Sequence, residues 1–156
     1  MDFITQLPKS DDCSMVRVIV DRFTKMAHFV PVKDGHKTAE GYAKLFLENI
    51  RKLHGLPSSI MSNRDLVFTS KFCTELMGRL DVWLRKSTAF YPETDGQTER
   101  VNQSGVQYLR QYCNYEQDNW NDLRPLAEYA YNNSVTKATQ MRPFFVNYGF
   151  HPRINW

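Results

Sequence analysis

A chain of 156 residues, 42% apolar and 24% charged, is the size of one domain and can bury one core, and its interspersed charges argue against wholesale disorder. A net charge of +3 and a pI near 8.8 permit a nucleic-acid partner without demanding one. Cys13, Cys73 and Cys113 are far apart and odd in number, and His28, His36, His54 and His151 fall at no zinc-finger spacing, so neither a disulfide framework nor a zinc finger is expected.

The cysteines read as reduced thiols of an intracellular protein. No apolar run reaches the roughly 18–20 residues of a membrane span. Asp2 and Pro8 interrupt any apolar start, so no signal peptide is expected. The chain reads as one soluble domain, residues 1–156, cut from something longer.

In chain order, residues 1–4 form a short apolar run that ends at Leu7 and Pro8. Residues 15–20, MVRVIV, are β-branched and nearly continuous, as a buried strand requires, and 26–32 reads as its hairpin partner. Residues 38–54 are the clearest helix. Ala39, Tyr42, Ala43, Phe46, Leu47, Ile50 and Leu53 recur at the 3.6-residue period, and Gly55 and Pro57 supply the stop. Residues 58–62 predict a strand, 70–80 a helix with Phe72, Cys73, Leu76, Met77 and Leu80 on one side, and 82–87 a further strand.

Residues 88–96 lack apolar periodicity, contain Pro92 and Gly96, and read as a loop, the least ordered internal segment. Two helices follow. The first carries Val101, Gly105, Tyr108, Leu109 and Tyr112 at helical spacing behind a capping box of Thr94 and Gln97. The second carries Trp120, Leu123, Leu126, Ala127, Ala130 and Tyr131, with Pro125 tolerable only near its first turn. Trp83, Trp120, Tyr129, Tyr131 and Phe144 read as core or interface residues. Strands interleaved with crossover helices imply an α/β sandwich with a mixed sheet.

The acidic residues are ambiguous by position alone. Asp2 shares a strand face with Ile4, and a solvated strand end explains it as well as a site does. Glu99 sits in a first helical turn, where compensation of the helix dipole is the ordinary reason for an acid. Asp95 has the same explanation, and Asp21 suits a turn.

Longer motifs change this balance. MDFITQLPKS at 1–10, VDRFTKMAHFVPV at 20–32, LHGLPSSIMSNRDLVFTSKF at 53–72 and TDGQTERVNQ at 94–103 are followed by NYEQDNW at 114–120, PLAEYAYNNS at 125–134 and PFFVNYGFHPR at 143–153. In this order, across essentially the whole chain, they resemble the integrase catalytic core of gypsy-type long-terminal-repeat retrotransposons, a branch of the retroviral integrase superfamily. The resemblance implies a ribonuclease-H-like fold, a mixed five-stranded sheet flanked by helices. It also implies two aspartates and a glutamate that hold two Mg²⁺ or Mn²⁺ ions, with 35 residues between the second aspartate and the glutamate.

Carried across, the first aspartate falls on Asp2 and the glutamate on Glu99. The second aspartate falls on Asn63, inside Ser62-Asn63-Arg64, and residues 64–98 make up the 35 between. The chemistry implied is two phosphoryl transfers, cleavage of a DNA end and attack of the new 3′-hydroxyl on target DNA. Two metals about 3.5–4 Å apart assist each step. Mg²⁺ takes anionic oxygen ligands, so Asn63 keeps an oxygen and loses a charge, and impaired activity is expected. Asp65 is an alternative ligand, but it lies only 33 residues from Glu99 in the same count.

The resemblance further implies DNA contacts at Tyr91, Gln97, Arg100, Asn102 and Gln103 around Glu99, with Arg64 and Lys25 as added phosphate charge. Tyr91 departs from the family, where His commonly precedes this proline. Both cations also suit plain solvated surface. A homo-oligomer acting on element ends and target DNA, a nuclear location and no membrane follow from the same resemblance. Residues from about 140 to 156 would lead toward a DNA-binding domain that this chain lacks. A relic that binds nucleic acid without chemistry is the rival reading, favoured by Asn63. A nuclease or transposase of the same fold fits TDGQTERVNQ less well.

Overall fold

The computed structural model describes residues 1–62, 70–86, 101, 103, 107, 113–115 and 118–153. The five expected strands are β1 (Asp2–Ile4), β2 (Cys13–Val20), β3 (Ala27–Lys33), β4 (Ser59–Ser62) and β5 (Trp83–Lys86). β1, β2 and β3 form an antiparallel ladder in that order, with Asp2 opposite Val18 and Val18 opposite Phe29. β4 and β5 pair in parallel, Ser59 opposite Trp83 and Ser62 opposite Lys86. Parallel strands need a crossover, and the helix Lys71–Arg79 supplies it. The two ladders meet where Met1 N donates to the Met61 carbonyl oxygen at 2.7 Å, which sets β4 beside β1.

The α-helices whose bounds the described residues give are α1 (Ala39–Phe46), α2 (Lys52–His54), α3 (the crossover, Lys71–Arg79), α4 (Trp120–Asn132) and α5 (Pro143–Tyr148). Thr38 caps α1, its hydroxyl accepting from Gly41 N at 3.1 Å. The helix expected over 38–54 runs its full length with one interruption. Leu47–Arg51 is a π turn between α1 and α2. Inside it the Asn49 amide donates to the Leu45 carbonyl oxygen at 2.8 Å, taking an acceptor that an α-helix reserves for backbone. Gly55, at φ 76°, then turns the chain out of the helix.

Three details differ from the sequence reading. β2 begins two residues early, at Cys13. Pro125 is the sixth residue of α4 rather than part of its first turn; it is exposed, on the solvent side where its ring and missing N–H disturb no buried packing. α5 is too short for periodicity to find, and its marks are Pro143 at the first position and Gly149 in the left-handed region at its end. Of the aromatics read as core or interface, Trp120 lies in the core at 1% exposed and Trp83 lies on the surface at 71%.

The strands divide two cores between their faces, as alternation requires. Ile4, Val16, Val18, Ala27 and Phe29 pack with Val101, Trp120 and Ala127 on one side. Ile19 and Val30 pack with Phe46, Ile50, Ile60, Met77 and Val82 on the other. Arg17 points to the α1 side. It is 2% exposed, donates to the Tyr42 carbonyl oxygen at 2.8 Å, and lies 5.8–6.0 Å from the rings of Phe3, Tyr42 and Phe46.

The outer edge of β3 is covered by one polar stripe of α4. Arg124, Glu128 and Asn132 recur every fourth residue, so they share a helix face. Arg124 Nη1 donates to the Phe29 carbonyl oxygen at 2.8 Å, and Glu128 Oε2 accepts from Phe29 N at 2.8 Å. Asn132 Oδ1 accepts from Ala27 N at 2.9 Å while its Nδ2 donates to the Ala27 carbonyl oxygen at 2.8 Å. Side chains thus complete the hydrogen bonds that a further strand beside β3 would make, which protects an edge otherwise open to pairing.

Candidate catalytic site

Asp2 is the acid the strands position best. It opens β1 opposite Val18 and is half-buried. One carboxylate oxygen, Oδ1, accepts from Phe3 N at 2.8 Å, a local bond that holds the group close to its own backbone. Alternation along β1 places Asp2 on the face of Ile4, while Phe3, on the opposite face, meets Tyr42 of α1 at 5.1 Å between ring centroids with the rings tilted by 57°. The Ile4 face is the one packed with Val101 and α4.

The other two members of the expected triad, Asn63 and Glu99, lie outside the described residues, but their chain neighbours are placed. Ser62, which precedes Asn63, is 2% exposed at the end of β4. Met61 is bonded to Met1, next to Asp2. Val101, two residues past Glu99, is helical and 5% exposed, buried with Ile4. Three distant stretches of sequence are therefore anchored around β1.

Of the expected DNA contacts, Arg64, Tyr91, Gln97, Arg100 and Asn102 also lie outside the described residues, as do Asp65 and the loop 88–96. Gln103 is helical and exposed. Lys25 lies in the β2–β3 turn at φ 65°, and its Nζ donates to the Arg22 carbonyl oxygen within the same turn. That turn is held by Asp21, whose Oδ1 accepts from Phe23 N at 2.7 Å, in keeping with the turn role read for this acid. Among the described residues no cluster of three or more His, Cys, Asp or Glu side chains forms a metal site. No helix among them is long and apolar enough to cross a membrane. Cys13 and Cys113 are free thiols, and burial raises the pKa of each.

Sequence spacing passed over one polar constellation. His28 on β3, His54 at the end of α2 and Glu128 on α4 form a chain. His28 Nδ1 lies 2.9 Å from Glu128 Oε1, and His28 Nε2 lies 2.8 Å from His54 Nε2. Residues 26 and 100 positions apart leave no motif. The one available signal was the four-residue spacing of Arg124, Glu128 and Asn132 along one stripe of an amphipathic helix.

No protein-family model matches the chain. Among curated proteins it is similar to the Transposon Tf2-3 and Tf2-4 polyproteins of Schizosaccharomyces pombe (strain 972 / ATCC 24843), each 37% identical over 155 residues and 99% of this chain. The chain spans 12% of the length of those relatives. Among solved structures it is similar to a chain of the simian T-cell lymphotropic virus intasome in complex with the PP2A regulatory subunit B56 gamma. The TM-score is 0.74 and the identity 19%, over 99% of this chain and 55% of that one. It is also similar to the HTLV-2 integrase catalytic core domain in complex with magnesium, in its trimeric form, with a TM-score of 0.68 and 19% identity over 93% of each chain. The BIV integrase catalytic core gives 0.66 and 16%, over 93% of this chain and 91% of that one.

Proposed function

The chain belongs to the integrase catalytic-core family of long-terminal-repeat retrotransposons, and from that premise we propose that it is the DNA-joining core of such an element, impaired by Asn63. The observation that carries the reading is the anchoring of three sequence-distant stretches, Asp2, the chain leading into Asn63 and the helix just after Glu99, around one strand. The HTLV-2 core described in complex with magnesium supports a divalent metal as the cofactor. Its dimeric and trimeric forms support a homo-oligomer as the working state.

The donor set fits such a metal in kind. Two carboxylates and an amide oxygen are hard oxygen ligands, which Mg²⁺ and Mn²⁺ take. Asp2, Glu99 and Asn63 would hold the ions, and when bound these supply Lewis-acid stabilisation of charge on the attacking and leaving oxygens. The set falls short in charge. Asp2 and Glu99 bring two negative charges, against four positive charges on two divalent ions. A DNA phosphate adds charge without replacing the ligand that fixes one ion's place. Even a lost second-shell partner typically costs about 10–100-fold in metal affinity, so a lost first-shell charge costs at least that. Asp65 is the alternative anionic ligand on this chain.

The chain's other residues would bind and orient DNA. Arg64 and Lys25 offer cations to phosphates, and Gln97, Arg100, Asn102 and Gln103 surround Glu99 with hydrogen-bonding groups. Tyr91 stands in the segment leading to them. The substrates are the element's ends and target DNA, and the place of action is the nucleus.

A strand-transfer assay in the full-length integrase context tests this reading. The protein carrying Asn63 is expected to show little or no joining, Asn63→Asp to restore it, and Asp65→Ala to change nothing. If the Asn63 protein is already as active as Asn63→Asp, the impairment is refuted. If Asp65→Ala then abolishes that activity, Asp65 is the ligand. If Asn63→Asp binds DNA and joins none, the chain is a binding relic.

A further inference from the structure

We propose that His28 and His54 form a two-nitrogen site for a borderline transition-metal ion such as Zn²⁺ or Cu²⁺, separate from the carboxylate site. Both Nε2 atoms converge on one point, 2.8 Å apart. The rings come from different elements, His28 from β3 and His54 from the end of α2, with centroids 5.0 Å apart and planes 46° apart.

Glu128 makes this pair more than two neighbouring rings. A carboxylate accepts only, so its contact with His28 Nδ1 at 2.9 Å places a hydrogen on Nδ1. In the neutral ring Nε2 then carries the lone pair. A metal-ligating histidine uses this arrangement, with the second nitrogen held by a carboxylate. Glu128 is itself fixed by Phe29 N, so the His28 ring is set by backbone. The two rings line a cavity of about 400 Å³ whose apolar wall includes Phe46, Ile50 and Ile60, with Asp21 adding an acid to the lining.

Geometry and proton balance both allow binding. Zinc–nitrogen bonds of about 2.0–2.1 Å at a tetrahedral angle set two ligand nitrogens roughly 3.3 Å apart. The rings must part by about half an ångström, and His54 is exposed and free to tilt. In the neutral pair the shared hydrogen sits on His54 Nε2. Binding the ion there moves that hydrogen to His54 Nδ1 through solvent, with no net proton released; from the singly protonated pair one proton leaves to solvent. Water completes the coordination shell, since among the described residues no third His, Cys, Asp or Glu joins the pair. The ion would tie α2 to β3, and through Glu128 to α4.

Calorimetric titration of Zn²⁺ into the 156-residue chain, with Mg²⁺ in large excess to occupy carboxylates, is the test. One equivalent is expected to bind. His54→Gln, at an exposed position, should weaken binding at least tenfold. Glu128→Gln keeps an acceptor for Phe29 N but turns an amide N–H toward His28 Nδ1, which drives the hydrogen to Nε2; a loss of about 10–100-fold is expected. Cu²⁺ in the same chain should show paramagnetic-resonance splitting from two imidazole nitrogens, and from one in His54→Gln. Zinc binding unchanged by His54→Gln, or a single coupled nitrogen in the unaltered chain, would place the ion elsewhere and overturn the site.

Discussion

The two borders of the β1–β2–β3 ladder treat polar residues in opposite ways. Along β3, Arg124, Glu128 and Asn132 are engaged by the backbone of Ala27 and Phe29. Donors and acceptors match there, and the border needs nothing from outside. At the start of β1, where β4 approaches, the proposed site gathers two carboxylates and an amide oxygen, with no cation among the ligands. Such a set is balanced only by cations brought from solution. Polar side chains matched within the chain serve stability, and like-charged ligands gathered together serve a bound ion at the expense of stability without it.

The contrast predicts which substitutions unfold the protein and which silence it. The largest loss of stability is expected at Asn132, 3% exposed beside Ala27 at 0%. Asn132→Leu leaves the Ala27 N–H and carbonyl without partners in the core, at a cost on the order of 1–3 kcal/mol for each. Chemical denaturation should show a lower midpoint with the slope unchanged, and metal affinity at the other border should stay as it was. An Asn132→Leu protein that lost metal affinity and kept its stability would break the comparison.

Thr38→Ala lies away from both borders and serves as a calibration. Losing the cap hydroxyl that accepts from Gly41 N should cost about 1 kcal/mol, read from the same denaturation curves. A cost equal to that of Asn132→Leu would mean that the β3 border is no better matched than an ordinary helix end.

The smallest effect is a pH dependence. The pKa of His54 is lowered in the folded chain by burial first and by His28 second. The unfolded chain therefore binds the proton more readily near pH 6.5. The contribution is fully present above that pH and is lost as pH falls from about 6.5 through the lower folded value. His54→Gln should flatten this part of the stability profile, and a slope unchanged by the substitution would exclude His54 as its source.

Much of this organisation was legible in the sequence, for identifiable reasons. β2 and β3 announce themselves by β-branched runs, and α1 by its apolar stripe. Gly55 marks the helix stop because its φ of 76° disfavours other residues. The π turn was hidden because it shifts the backbone ladder at Asn49 without disturbing the apolar stripe. The β3 border was hidden because Arg124, Glu128 and Asn132 look like the solvent side of an amphipathic helix until β3 is placed beside them. The His28–His54 pair joins residues far apart in sequence, which spacing rules do not register. Asp2, Asn63 and Glu99 are candidates by resemblance alone, since an acid at a strand end or in a first helical turn is commonplace. Of these, the described residues place Asp2 on the Ile4 face and bring the chain neighbours of the other two around it.

The central claim is that Asn63 removes a metal ligand's charge and leaves the fold intact. Mn²⁺ binding to the 156-residue chain, followed by the resonance signal of the free ion, tests it directly when the chain and Asn63→Asp are titrated side by side with their unfolding midpoints recorded. The expected result is an affinity at least 10–100-fold higher in Asn63→Asp, with metal-free stability equal or slightly lower because a third carboxylate joins Asp2 and Glu99. Equal Mn²⁺ affinity in the two proteins would contradict the account.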